Sequence, residues 1–352
     1  MKRITIAFLF VATVLGFSSS ARASDVVLAT PNGMIVSGST LGLEVGQVTP
    51  GLVVNRYVVP ETAAASLPDP PARGVDPLLW GYEASSTVAQ IFTYNLFVGS
   101  PPISQGPSCV PFGSQNGRGL AFDPMDGNLW YNFIDYPGFD GDGFIHKTTP
   151  PNTGSCVFVN QIPFGDGPGG TLQDDIGALD VDPQSKHIWA VGYKPVTVQG
   201  VERAYIYLVN RNNGSIIKSC WLPSRRAGYV GNDTLTVATL TGLSGSGEYL
   251  LTDAGGVNTV GNTLAAIDVL DCRNGSQVVP VAEFPKGNGM TGAEFESPGL
   301  LATDLTELDI YGDQPFSSYT SYGPFGNTSL MEDLSLCAYK TVFGGSDASC
   351  PY

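Results

Sequence analysis

Histidine is scarce in this chain: only His146 and His187 occur among 352 residues. That leaves little scope for a Ser-His-Asp triad, and no G-x-S-x-G is present to mark a nucleophile. There is no C-x-x-C and no C-x-x-C-H, which argues against a thioredoxin-type redox pair and against covalently attached haem. No stretch beyond the first twenty or so residues is apolar enough for a spanning helix of about 20 residues. Charged residues make up only 14% of the chain, yet 42% is hydrophobic, so a core can form and no signature of disorder is present. A 3.6-residue apolar period is also rare, which predicts an almost all-β chain.

Glycine and proline are plentiful, 44 and 26 residues, as expected of many short strands joined by turns. Residues 1–23 read as a signal peptide: Lys2 and Arg3, an apolar run from Ile4 to Phe17, then Ala21-Arg22-Ala23 in small-x-small form. Cleavage after Ala23 removes three cations and no acid, taking the formal charge from −15 to −18. An acidic, exported protein is expected, periplasmic or extracellular, suited to divalent cations or cationic partners. Nucleic acid and membrane insertion are disfavoured as partners.

Six cysteines follow the leader: Cys109, Cys156, Cys220, Cys272, Cys337 and Cys350. An even number in an exported chain points to disulfides, with connectivity left open; Cys337 and Cys350 could close the C-terminal tail. Four N-x-S/T sites, at Asn213, Asn232, Asn274 and Asn327, fit surface loops.

The chain is organised around a repeat. Arg118 to Phe133 reads RGLAFDPMDGNLWYNF, two β-like runs flanking an Asp-Pro turn, and GALDVDPQSKHIWAV repeats the figure from Gly177. Asp123-Pro124 and Trp130 thus have counterparts in Asp182-Pro183 and Trp189, and a shortened copy pairs Asp76-Pro77 with Trp80. Units start near residues 73, 118, 174, 234 and 290, each with material for four strands, which is the period of propeller blades. The fifth is loosest, with extra residues around Gln314 to Thr328 and LSLCAYKTVFG as its last strand.

Residues 24–352 are therefore expected to form a single all-β propeller of four-stranded antiparallel blades. Residues 24–72, β-like pieces and a Pro-rich connection, are assigned to ring closure. That gives six blades if they form a full one and five if they add a strand, with seven also open. A pair of β-sandwiches or a β-solenoid is the alternative architecture.

On these motifs the chain resembles the broad propeller group containing NHL-type and YVTN-type repeats, the streptogramin lyases and the senescence-marker/gluconolactonase proteins. The resemblance covers about two thirds of the chain and implies architecture. Group members include divalent-metal lactonases, lyases and non-enzymatic binders, so it does not select one function. No lyase motif is matched: His187 sits at the wrong end of its strand for a ligand face.

Mapped onto a propeller, Glu83, Asp135, Asp253 and Asp304 fall at the ends of second strands, on the face where inner strands begin. Asp174 and Asp175 precede the third inner strand there, and Lys194 takes the corresponding place in the third blade. Asp135, Asp175, Asp253 and Asp304 are candidate ligands for Ca²⁺, which takes six to eight oxygens. Glu83, Asp174, Lys194 and Arg225 are candidate ligand-binding residues. Acids at strand ends also serve as solvated turn caps.

FIDYPGFDGDGFI, with Asp135, Asp140 and Asp142, lacks EF-hand spacing, and GDGPGG fits no phosphate loop. Asp123 and Asp182 read as turn formers accepting backbone N–H bonds. The resulting expectation is a secreted or periplasmic binding or interaction protein with its ligand on the channel rim. The alternatives are a divalent-metal-dependent hydrolase of the gluconolactonase type and a structural component of an extracellular assembly.

Overall fold

The computed structural model describes residues 26–29, 34–39, 42–47, 78–85, 87–96, 103–134, 141–151, 155–164, 175–193, 196–223, 233–252, 263–285, 290–296, 299–312, 316, 319–325 and 330–337. Two compact units divide the chain, Met1–Arg73 and Gly74–Tyr352, the boundary falling at the end of the Pro-rich stretch. In the first unit β1 (Val26–Ala29), β2 (Met34–Ser39) and β3 (Gly42–Gln47) form an antiparallel three-stranded sheet in that order.

The second unit is a five-bladed propeller. β4 (Leu78–Glu83), β5 (Ile91–Leu96) and β6 (Ile103–Cys109) belong to the first blade. The second is β7 (Asn116–Asp123), β8 (Asn128–Ile134), β9 (Phe144–Thr148) and β10 (Phe158–Pro163). The third holds β11 (Ile176–Val181), β12 (Ile188–Gly192), the short β13 (Val196–Val198), β14 (Val201–Val209) and β15 (Ile216–Pro223). The fourth is β16 (Leu235–Thr239), β17 (Glu248–Thr252), β18 (Thr263–Asp268) and, after the two-residue β19 (Ser276–Gln277), β20 (Ala282–Pro285). β21 (Gly292–Glu296), β22 (Gly299–Thr303), β23 (Glu307–Tyr311) and β24 (Tyr319–Pro324) form the fifth. β25 (Met331–Cys337) then pairs antiparallel with β4 and becomes the inner strand of the first blade.

Two expectations change here. LSLC is not the end of the fifth unit but the beginning of the first blade, and the fifth blade's outer strand comes from the stretch read as extra residues. The blade count is five, one of the counts left open by the sequence, but the strand that joins the last blade to the first comes from the C-terminal side and not from residues 24–72.

Period-2 patterning explains the packing. Successive strand residues face opposite sides of a sheet, so each blade has two faces to bury. Five apolar clusters sit between the five successive pairs of blades. In β12, Trp189 and Val191 pack toward the fourth blade, while Ile188 and Ala190 pack toward the second. The cluster between the fifth and first blades joins Leu301 and Leu308 to Leu79, Tyr94 and Leu334, so no blade face is left uncovered at the seam.

The inner strands β25, β7, β11, β16 and β21 contact one another in that cyclic order. They are too splayed to pair as a sheet, and side chains bridge them instead. Asp333 Oδ2 accepts the N–H of Leu120 at 2.8 Å, and Ser335 Oγ accepts that of Phe122 at 2.7 Å. Asp180 Oδ2 accepts the N–H of Val237 at 2.6 Å, and Thr236 Oγ1 accepts that of Phe295 at 3.0 Å. Each bond satisfies a backbone donor that no ladder reaches, fully buried at Leu120, Phe122 and Val237 and partly buried at Phe295.

Two disulfides staple neighbouring blades. Cys109–Cys156 ties the first blade's outer strand to the segment before β10, and Cys220–Cys272 ties β15 to the turn after β18. Cys337 is also disulfide-bonded; Cys350 lies outside the described residues.

Candidate functional site

All five inner strands start at the same end of the ring, opposite the ends of their second strands: Met331 faces Glu83, Asn116 faces Ile134, Ile176 faces Gly192, Leu235 faces Thr252 and Gly292 faces Thr303. At this mouth of the channel Arg118 of β7 is buried, only 6% exposed. Its guanidinium is ion-paired with Glu332 of β25 and lies 4.0 Å from Asp233, just before β16. It stacks over the ring of Tyr193, 4.4 Å from the centroid, and donates to the phenol oxygen at 3.4 Å. Glu332 is buried, Asp175 is buried beside Tyr193, and Asp233 is partly exposed. Burial pushes the Tyr193 phenol above its usual range; Arg118 pulls it back, while Asp233 and Asp175 push it further up.

Close approach of the inner strands sets this geometry. A Cβ on Gly119 would come within 2.5 Å of Leu179 and 2.6 Å of the Asn132 amide oxygen. Without one, Gly119 donates its N–H to Asn132 Oδ1 at 2.9 Å, and Asn132 donates in turn to the Ile176 carbonyl at 2.8 Å. Arg118, one residue earlier, is thereby held at the channel wall.

Two further buried carboxyls belong to the inner strands. Burial pushes Asp180 up to about 7, against the N–H groups of Val237 and Val181 and the Thr236 hydroxyl, with Asp182 adding to the rise. Burial likewise holds Asp333 well above the carboxylate range, against the N–H groups of Leu120, Leu334 and Leu179, with Asp180 adding its charge. Burial of an acid in low dielectric disfavours its charged form, and here that outweighs several hydrogen bonds.

Asp175 is one of the residues expected at the rim and lies with the Arg118 cluster. Glu83 ends β4 at the same end of the ring, where its carboxylate accepts the N–H of Gln90 at 3.1 Å. Asp304 follows β22 and spends Oδ1 on Thr306 N, Thr306 Oγ1 and Glu307 N, as a turn cap. Asp135, Asp174, Lys194, Arg225 and Asp253 lie outside the described residues. Among the described residues no three His, Cys, Asp or Glu side chains form a group that fits a metal ion.

The histidines have other partners. His146 Nε2 is 2.7 Å from Asp142 Oδ2, and its ring stacks on Tyr131 and Phe133. His187 Nδ1 accepts the N–H of Arg211 at 3.4 Å.

Sequence reasoning missed Arg118, Glu332, Asp233, Tyr193, Asp180 and Asp333. One signal was there: Asp180 interrupts the apolar run GALDV, and Glu332-Asp333 stands before LSLC. A charge inside an inner strand must be paired or lose its charge, which marks it for scrutiny.

Fold and site together define a five-bladed β-propeller with a charged channel mouth. No family model matches the chain, and no curated protein matches it. Among solved structures it is similar to a Bacteroides fragilis protein provisionally described as a 6-phosphogluconolactonase, at 11% identity and TM-score 0.41, covering 91% of this chain and all of that one. It is also similar to the extracellular domain of a protein from B. thetaiotaomicron, provisionally described as a hybrid two component system, at 11% identity and TM-score 0.33, over 90% of this chain and 35% of that one. A third is Kluyvelomyces marxianus Hsv2, at 11% identity and TM-score 0.30, covering 87% and 83%. These likenesses concern architecture alone.

Proposed function

We propose that this protein is an exported binding protein whose ligand sits at the channel mouth around Arg118. The observation that carries the reading is the buried Arg118 guanidinium, held by Glu332 and the Tyr193 ring beside Asp233 and Asp175. A buried cation among several acids is costly to maintain for stability alone, because apolar packing of the same volume is often as stable. Export is supported by disulfides, which persist in oxidising compartments.

The metal-dependent hydrolase reading, with Ca²⁺ on Asp135, Asp175, Asp253 and Asp304, draws support from Asp175 at the mouth. It is weakened by Asp304, whose carboxylate already caps a turn. An ion would there polarise a carbonyl and acidify bound water. A structural role in an extracellular assembly needs no mouth chemistry at all.

The test is thermal unfolding of the purified protein with chelator and then with Ca²⁺, together with metal analysis of the protein as isolated. A bound ion stabilises by about 2.7 kcal/mol at a hundredfold excess over its dissociation constant. The binding reading expects any Ca²⁺ effect to survive Asp304→Ala. A midpoint that rises with Ca²⁺ and loses that rise in both Asp175→Ala and Asp304→Ala favours the metal site instead.

A further inference from the structure

Charge is absent from two stretches of the chain that meet in the fold. Ala84 to Gly117, which carries β5 and β6, and Thr148 to Gly165, which carries β10, contain no Asp, Glu, Lys or Arg, although the chain as a whole stands at net −15. The Cys109–Cys156 disulfide joins the two stretches, and the rings of Phe112 and Phe158 lie 5.3 Å apart between centroids. Around this contact stand Val110, Phe112, Val157, Phe158 and Val159, between 43% and 62% exposed. Scattered exposed apolar residues need no explanation, but five joined through one disulfide and one ring contact form a patch. At roughly half exposure each they offer on the order of 400 Å² of apolar surface, the size at which a patch on a single chain is often a binding surface.

β10 lies at the outer end of the second blade's sheet, with no strand beyond it among the described residues. The third blade shows the alternative, since its outer strand β15 is covered by β19. Edge strands that stay single ordinarily carry charge to repel a neighbour, and β10, FVNQIP, carries none.

Charge and area choose the occupant. A partner drawn to this acidic chain by charge would be basic and would seek carboxylates, which both stretches lack. A second copy meets the opposite difficulty, because two chains at net −15 repel each other, and a charge-free face is where that repulsion is least. A standard interface takes about 800 Å² from each partner, of which roughly 450–500 Å² is apolar, and the patch supplies most of that. Two-fold symmetry then needs no second surface, since the patch meets itself.

We propose that this outer face of the first and second blades is the contact between two copies of the chain, Phe112 and Phe158 of each packing on the β10 edge of the other. The reading of the channel mouth is untouched by it.

The test is sedimentation velocity of the whole chain from about 1 to 100 µM, in low and in high salt. A monomer–dimer equilibrium in the micromolar range is expected, tightening in high salt as the like net charges are screened. Phe112→Asp and Val159→Lys each set a like charge against its own mate across the two-fold axis, and each should weaken the dimer by about tenfold or more. Both side chains are exposed, so both variants should keep the parent's thermal midpoint. Val279→Lys, at a side chain 69% exposed just before β20 of the fourth blade, should leave the dimer as it is.

A chain that remains monomeric at about 100 µM in both salts overturns the second copy, and a different protein or a membrane found on the patch is then its occupant. A dimer that ignores both Phe112→Asp and Val159→Lys overturns the proposal as well, because its contact lies elsewhere.

Discussion

Trp130 donates its indole N–H to Asp123 Oδ2 at 2.9 Å. The same carboxylate receives Lys147 Nζ at 2.6 Å and, from the neighbouring blade, Arg211 at 2.6 Å, so a turn aspartate has become the centre of a buried ion cluster. Its other oxygen accepts the N–H of Met125 at 3.0 Å, the turn-forming role expected of Asp-Pro. The counterpart in the third blade is wired differently. Asp182 accepts from Gln184 N and the Ser185 hydroxyl, and Trp189 Nε1 is buried with no acceptor.

Two tryptophans in equivalent positions should therefore respond differently to the same change. Trp130→Phe removes a hydrogen bond to a charged group, about 1.5–3 kcal/mol, besides packing. Trp189→Phe loses packing but also removes an unmet donor, so its cost should be smaller by about 2 kcal/mol. Denaturant unfolding of both variants measures the difference, and equal costs would sink this account of the repeat.

Stability should fall as pH rises through the acid range. Asp180 and Glu248 are each pushed to about 7, mainly by burial, with Asp182 adding to both. The folded chain keeps protons that the unfolded chain releases from about 3.8 and 4.5 upward. Between those values and pH 7 the folded state binds more protons, so unfolding free energy declines with pH, by up to ~1.4 kcal/mol per unit for the Asp180 proton and by much less for that of half-exposed, solvent-screened Glu248, and levels off above. Thermal midpoints at constant ionic strength should track this, with a shallower slope in Asp180→Asn. A midpoint that climbs across the window would contradict it.

Gly119→Ala and Gly292→Ala should be among the most damaging small substitutions. The new methyl would lie 2.5 Å from Leu179 in one case and 2.5 Å from the Asp333 backbone in the other, where inner strands approach across the channel wall. Neither neighbour can swing aside, and overpacking of this kind costs about 1–3 kcal/mol or more. Gly312→Ala, with nothing within 4 Å, is the control and should be nearly neutral. The readout is the urea midpoint at unchanged slope.

Reduction should loosen the ring at known seams. Cys109–Cys156 and Cys220–Cys272 span 47 and 52 residues, and loops of this length imply about 4 kcal/mol each in the chain-entropy account. Replacing either pair by Ala should lower stability by up to that amount. Local hydrogen exchange should rise at the first and second blades for one pair, and at the third and fourth for the other. A uniform rise throughout the ring would argue against blade-specific stapling.

The chain's own pattern determined the blades that repeat well. Two-residue alternation, Asp-Pro turns and the Trp at a fixed offset are local features, and local features suffice where a strand pairs with its sequence neighbour, as β7 does with β8 and β11 with β12. Tertiary structure alone decided the seam and the site. LSLC looks like any strand in isolation, and that it begins the first blade depends on β4, more than 240 residues earlier in the chain. Arg118 lies inside the repeat motif itself, yet its surroundings come from Glu332, Tyr193 and Asp233, contributed by other blades. The free energy of a charge depends on what surrounds it in space, and no periodicity along the chain encodes those surroundings.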